Sequence, residues 1–247
     1  MPNSIRSAPN YANAHRRAIL YVLVRPTRDC ASSHEAGDYP LNKRWQTFRL
    51  GFIASHNGSS MRAIVRAIDT GYLVGTANIV ISNNGSSPAL EFAAQRQMPA
   101  LCINRTLVGT DEIVDRAIAH ELLAHDVNLV VLSGYMRKIG PRVLSAFRNR
   151  ILNIHPALLP RFGGRSMYGL RVHQAVVAAG EQSSGVTIHM VDELYDHGPI
   201  VLQKRMPVEP GDTPESLGDR IGRAEPGTFV ECLRAIQDGR LNLPDSA

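Results

Sequence analysis

Short apolar runs alternate with segments of helical spacing along the chain from Leu50 onward. In the first unit, the apolar run 50–55 leads through polar residues into segment 61–71, whose apolar residues stand at 61, 64, 65 and 68. This pattern predicts a strand, a turn and a helix. Three further units follow before residue 151, and repeated strand–helix units favour a parallel sheet with helices on both faces. The predicted strands cover 50–55, 77–84, 99–104, 127–135 and 151–156, and the predicted helices cover 61–71, 88–97, 111–126 and 140–150.

The C-terminal part departs from this alternation after a helix predicted at 171–180. Residues 185–191 and 199–208 alternate apolar and polar side chains, which indicates an antiparallel pair joined by the polar segment 192–198. Residues 213–225 and 229–239 are expected to form two closing helices. The sequence thus predicts an α/β fold: a doubly wound, mostly parallel, Rossmann-like sheet with an antiparallel C-terminal strand pair.

Residues 1–48 mix Asn, Ser, Pro and Arg without a sustained period, and we expect them to be a poorly ordered extension preceding a catalytic domain at 49–247. They hold 7 of the 27 Lys/Arg and 3 of the 22 Asp/Glu, so they carry most of the net charge of +5. Since the remainder is nearly neutral and lacks a basic run with aromatics, we expect no nucleic-acid partner.

Composition narrows the function classes further. The apolar runs are shorter than the roughly 20 residues of a membrane span, so no membrane partner is expected. The three cysteines form no CxxC pair, which argues against a disulfide framework or zinc site and fits a reducing, cytoplasmic location. No metal is expected. The predicted partners are small-molecule substrates, with the chain a monomer or homodimer.

Asn153 and His155 are the first candidates for chemistry. They lie two residues apart at the carboxyl end of the fifth predicted strand, where open α/β sheets place ligands. Asp196, in segment 192–198, is the third: a carboxylate beside His155 would raise the pKa of the imidazole and orient it. Together they would suit acyl transfer without a covalent intermediate. The alternatives are two satisfied polar groups at a strand end and a solvated hairpin tip.

The polar loop 55–60 precedes the first predicted helix, and its backbone N–H groups could bind a phosphate. It lacks the Lys of a P-loop and the glycine spacing of a dinucleotide fingerprint. A simple helix N-cap is the alternative reading.

The segments ASHNGSSMRAI, VVLSGYMRKIGP, ILNIHPALLPRFGG and GVTIHMVDELYDHGPIVLQ, in this order, resemble those of the phosphoribosylglycinamide formyltransferases among the folate-dependent formyltransferases. The resemblance covers about residues 49–240. It implies transfer of a formyl group from 10-formyltetrahydrofolate, as cosubstrate, to the amine of glycinamide ribonucleotide in purine biosynthesis.

The resemblance also implies roles for individual residues. The catalytic residues are Asn153, His155 and Asp196; the substrate-binding residues are Gly58, Ser59, Ser60, Met136 and Glu225; and the folate-binding residues are Arg137, Lys138, Ile139, Asp192, Glu193 and Asp196.

The chain departs from the family pattern at three places: Ser60 stands where Asn is usual, no Arg precedes the helix near Asp111, and Pro226 follows Glu225 and is expected to disturb the helix there. These departures leave other functions open. The alternatives are a formyltransferase for another amine such as an amino-sugar nucleotide, a formyltetrahydrofolate hydrolase, and a folate-binding protein without activity.

Overall fold

A computed structural model of the protein describes residues 45–243, which form a seven-stranded sheet flanked by helices. The strands are β1 Phe48–Ala54, β2 Gly75–Ser82, β3 Ala100–Cys102, β4 Leu129–Leu132, β5 Ile151–His155, β6 Ser183–Met190 and β7 Ile200–Pro207. The helices are α1 Ser59–Asp69, α2 Pro88–Gln95, α3 Arg105–Val108, α4 Asp111–Ala124, α5 Pro141–Ala146, α6 Leu170–Ala178 and α7 Pro214–Gln237.

The strand order is β3-β2-β1-β4-β5-β6-β7, and the first five strands run parallel. β6 is antiparallel to both of its neighbours, β5 and β7. The predicted doubly wound, mostly parallel α/β sheet with an antiparallel C-terminal pair is confirmed. In this register Asn153 of β5 lies opposite His189 of β6, and His155 lies opposite Thr187.

The sheet is buried on both faces because its central strands send alternate apolar side chains to opposite sides. In β1, Phe52 packs into the core formed with α1, α2 and α7, while Ile53 packs into the core formed with α4 and α5. The same alternation in β4 places Val131 on the first side and Val130 on the second. The two layers of helices hold the sheet between them, so its carboxyl edge is left for the site.

The last two predicted helices are one continuous helix, α7, which contains Pro226. The prediction of a break was wrong, because packing overrides the proline. Phe229, Cys232 and Leu233 after the proline are all 0% exposed. Fully burying an apolar side chain contributes about 1.5–3 kcal/mol, so these residues together exceed the roughly 3 kcal/mol cost of a proline inside a helix.

The ends of the chain differ from expectation in smaller ways. β1 begins at the fully buried Phe48, two residues before the predicted strand. The remainder of the predicted extension, residues 1–44, lies outside the described residues.

The short helix α3 was not predicted. Within residues 45–243, no helix combines the length and apolarity needed to cross a bilayer.

Candidate active site

The carboxyl ends of β4 and β5 open into a cavity of about 600 Å³. Asn153 and His155 lie on its wall because β5 ends there and the chain turns away at Pro156. Segments before α5, before α6 and after β6 complete the wall together with one side of α7. This is the place where parallel sheets gather polar side chains from several loops, since their helices cover the two faces.

His155 is held by acceptors at both ring nitrogens. Its Nε2 donates to the backbone carbonyl of Phe162 at 2.8 Å, and its Nδ1 lies 3.4 Å from Oδ2 of Asp196. The residue is 3% exposed, so water does not compete for these contacts. The ring is therefore fixed with one edge toward the carboxylate, as the sequence predicted for this pair.

Asp196 reaches His155 from the loop between β6 and β7. The residue has φ +53°, a left-handed conformation that Asp tolerates better than most residues with a side chain. Its Oδ2 accepts the backbone N–H of Gly164 at 2.9 Å. Burial alone would raise the pKa of Asp196, but the neighbouring His189 and His155 rings and the Gly164 N–H together lower it. The carboxylate is thus anionic at neutral pH.

His155 has a pKa below its ordinary value because burial disfavours the imidazolium. Asp196 and the Phe162 carbonyl act in the opposite direction without overcoming burial, and His189 adds to the lowering. Asp196 does raise the pKa of His155, as expected from the sequence. Burial lowers it by more, so the expectation of a net increase was wrong. Burial and the neighbouring carboxylate thus act in opposite directions on the pKa of this ring.

His189 is a site residue that the sequence analysis did not single out. Its Nδ1 donates to the carbonyl of Met190 at 2.8 Å, and its Nε2 accepts from the Asn153 amide nitrogen, which can only donate. Nε2 lies 3.1 Å from Nδ2 of Asn153 and 3.6 Å from Oδ1 of Asp196. One N–H of the Asn153 amide is thereby engaged, and the other is left for a ligand. The feature that brings His189 into the site is the antiparallel register of β5 and β6, which places it opposite Asn153.

The segment 136–139 forms another wall of the cavity and is anchored at both ends. Ser55 accepts the backbone N–H of Met136 at 2.9 Å. Beyond the segment, the buried carboxylate of Asp115 accepts the backbone N–H groups of Arg142 at 2.8 Å and Val143 at 3.1 Å. These bonds cap the start of α5 and hold the segment against the sheet. Neither Ser55 nor Asp115 was singled out from the sequence.

The structure gathers most of the predicted site residues around this cavity. Those that line it are Asn153, His155, Asp196, Met136, Arg137, Lys138, Ile139, Asp192 and Glu225. Glu193 lines a neighbouring cavity of about 1300 Å³, which shares the segment 136–139 with the first. Burial raises the pKa of Glu225 to about 7.

The predicted phosphate loop lines neither cavity. It lies beside the first one, since Ser55 donates its backbone N–H to the carbonyl of Gly134 at 3.2 Å. Gly58 has φ +61° and precedes α1, where Ser59 is exposed but Ser60 is only 1% exposed. The Ser59 hydroxyl is therefore exposed at the start of α1, whereas the Ser60 side chain is buried.

No group of three or more His, Cys, Asp or Glu side chains within residues 45–243 is arranged to hold a metal ion. On one wall of the cavity, Asn153, His155, His189 and Asp196 instead bring together an amide, two imidazoles and a carboxylate. This set can hydrogen-bond a carbonyl oxygen and exchange a proton with an attacking nucleophile.

Comparison with known proteins places this arrangement in a family. A sequence model of the family described as formyl transferase matches residues 48–233. Phosphoribosylglycinamide formyltransferase of Escherichia coli K12 is 32% identical over 195 residues, which are 79% of this chain and 90% of that protein. The chloroplastic phosphoribosylglycinamide formyltransferase of Vigna unguiculata is 34% identical over 193 residues, and the chain spans only 62% of its length.

Solved structures give the same result. Glycinamide ribonucleotide transformylase 1 of Symbiobacterium toebii has a TM-score of 0.73 at 35% identity, over 81% of this chain and 95% of that one. A formyltetrahydrofolate deformylase of Pseudomonas syringae has a TM-score of 0.70 at 21% identity, a likeness of fold alone. Since the family match covers the sheet and every loop of the cavity, the chain belongs to the formyl transferase family.

Proposed function

We propose that the protein transfers the formyl group of 10-formyltetrahydrofolate to the amine of glycinamide ribonucleotide, a step of purine biosynthesis. The observation that carries the proposal is the cluster of Asn153, His155 and Asp196 on one wall of a cavity of about 600 Å³. Relatives named for this reaction, at 32% and 34% identity, support the choice of substrates.

Asn153 and His155 act on the formyl oxygen in this proposal. When the amine attacks the formyl carbon, the oxygen becomes an oxyanion, and the free N–H of Asn153 donates to it. The negative charge beside His155 raises the pKa of its imidazole and favours the protonated ring. Because the ring is buried, the resulting ion pair is little screened by water.

Asp196 moves the proton. The attacking nitrogen carries an extra proton after it bonds to the formyl carbon, and the anionic Asp196 accepts it. As the bond between the formyl carbon and the folate nitrogen breaks, Asp196 gives this proton to the leaving nitrogen and returns to its anionic form. The lowered pKa of Asp196 ensures that the carboxylate is available as the acceptor near neutral pH.

The two substrates take different parts of the surface. We assign Arg137, Lys138, Ile139, Asp192 and Glu193 to the folate, because they lie on the segments shared by the two cavities. The amine substrate lies toward Glu225 and Met136, with its phosphate at Gly58 and Ser59. The Ser60 side chain is buried and provides no contact to that phosphate. For this reason other amines should be tested beside glycinamide ribonucleotide.

A formyl-transfer assay with 10-formyltetrahydrofolate and a panel of amines tests the proposal. We expect turnover with glycinamide ribonucleotide to exceed turnover with amino-sugar nucleotides and with water by at least about 100-fold, the scale of discrimination from buried polar contacts. The matched controls are His155→Ala and His120→Ala, the latter an exposed histidine on α4. Release of formate without formyl transfer would make the protein a hydrolase, and folate binding without turnover would make it a binding protein.

We also propose that the catalytic domain begins at β1 and that residues 1–44 are dispensable for turnover. Phe48 is fully buried and Trp45 packs against the core, so the folded unit includes both. A variant that starts at residue 45 should keep the kcat of the full chain. Loss of turnover in this variant would contradict the assignment.

A further inference from the structure

His173 on α6 is a buried imidazole in the wall of the same cavity. It is 6% exposed, and its Nδ1 has no hydrogen-bond partner among residues 45–243. The mechanism above does not use it. A neutral imidazole carries one donor and one acceptor, and burying either without a partner is costly. A ligand in the cavity would supply the missing partner.

Two glycines of α7 shape the space beside this ring. A Cβ at Gly218 would lie 2.9 Å from Cδ2 and 3.3 Å from Nε2 of His173, so the ring occupies the place of a side chain there. One turn later, a Cβ at Gly222 would have no heavy atom within 4 Å, although Gly222 also lines the cavity. Glycine is unfavourable inside a helix. Its presence at Gly222, where a side chain would meet only the open space of the cavity, is therefore unexpected. We call this open space the slot at Gly222. A bound substrate would fill the slot.

Glu225 lies on the same side of α7, three residues beyond Gly222, and lines the cavity. Within the described part of the chain it has no hydrogen-bond or ion-pair partner. Its raised pKa follows from burial alone, so near neutral pH the carboxyl group both donates and accepts. An imidazole, an open slot and a carboxyl group thus follow one another along one wall, a set suited to neutral hydroxyl groups.

We propose that His173 is a specificity-determining residue that hydrogen-bonds a sugar hydroxyl of the amine substrate, with the substrate filling the slot at Gly222. The inference rests on the proposed function and extends it by assigning an additional contact on the amine side. It separates two groups of polar residues: Asn153, His155 and Asp196 act on the formyl group, whereas His173 and Glu225 select the molecule that carries the amine.

His173→Phe tests the contact while keeping a ring of similar size. Its expected effect is a rise in KM for glycinamide ribonucleotide of about 5-fold or more, as for loss of one hydrogen bond. We expect kcat and the KM for 10-formyltetrahydrofolate to stay within about 2-fold, because uniform binding of one substrate is lost. His120→Phe is the matched control on the exposed face of α4.

Substrate analogues lacking the 2-hydroxyl or the 3-hydroxyl of the ribose separate a binding role from a structural one. The wild-type enzyme should discriminate against at least one analogue, and His173→Phe should reduce that discrimination toward unity. If the variant keeps the wild-type KM and discrimination against both analogues, the inference is wrong while the proposed function stands. If wild-type enzyme transfers no formyl group to glycinamide ribonucleotide, the proposed function itself fails.

Gly222→Ala tests the slot without touching the ring. The added methyl group should raise the KM for the amine by about 5-fold or more, because it occupies volume the substrate needs. Gly227→Ala is the matched control: it lies on the same helix, has equally open space and does not line the cavity. Both alanines should raise the melting temperature, since alanine favours helices. Equal KM values for the two variants would contradict a substrate in the slot.

Discussion

Replacing Pro226 with Ala tests whether packing alone keeps α7 continuous. Pro226 has no N–H to donate to the carbonyl of Gly222, four residues earlier, and a proline inside a helix costs about 3 kcal/mol relative to alanine. Alanine also gives the unfolded chain more freedom, which offsets about 0.4–1 kcal/mol. We therefore expect the free energy of unfolding to rise by about 2 kcal/mol. For a domain of this size, the melting temperature should increase by about 4–8 °C.

Thermal unfolding followed by circular dichroism and calorimetry measures this change. Pro214 provides the matched control, because it is the first residue of the same helix, where the missing N–H has no helical acceptor. Pro214→Ala should leave the melting temperature unchanged or lower it slightly, because the substitution raises only the conformational entropy of the unfolded chain. A Pro226→Ala variant no more stable than the wild-type protein would refute the reasoning, since α7 would then gain nothing from the restored hydrogen bond.

Three further substitutions test the site. Asn153→Ala should lower kcat about 100-fold and leave the KM for folate nearly unchanged, because the amide acts on the oxyanion; a change confined to KM in steady-state kinetics would contradict this. Asp196→Asn should lower the pKa of His155 still further, because it removes the main group that opposes burial; an unchanged pKa by NMR titration would exclude that role. Asp115→Ala should lower the free energy of unfolding by about 3 kcal/mol, because two backbone N–H groups lose their acceptor, and raise the KM for folate. Urea denaturation measures the stability, and Asp115→Asn, which keeps one acceptor oxygen, should recover part of it.

The sheet was predictable because its central strands are unbroken apolar runs between polar turns. β4 and β1 are buried on both faces, and such strands carry the strongest pattern in a sequence. Asn153 and His155 followed from the same reasoning, since polar residues two apart at a strand end share a face. Asp196 required a loop to fold over the sheet edge, and the family resemblance supplied that contact.

The remaining features depend on long-range packing. His189 enters the site only because β6 pairs antiparallel with β5, and its own sequence context, an alternating strand, contains no sign of the partner. The continuity of α7 through Pro226 depends on the buried residues that follow the proline. The net pKa of His155 depends on how deeply the cavity wall buries the ring, which spacing along the chain does not encode.

The pairing of β5 with β6 limits which insertions and deletions the protein tolerates. Because side chains alternate along a strand, removing one residue within β6 before His189, with the start of β6 held in place, would bring Met190 opposite Asn153 and turn the imidazole to the other face. Exposed stretches of the connecting loops change length without altering this alternation. Variation in length among functional relatives should therefore concentrate in loops such as 165–169, whereas β6 should vary only by substitution.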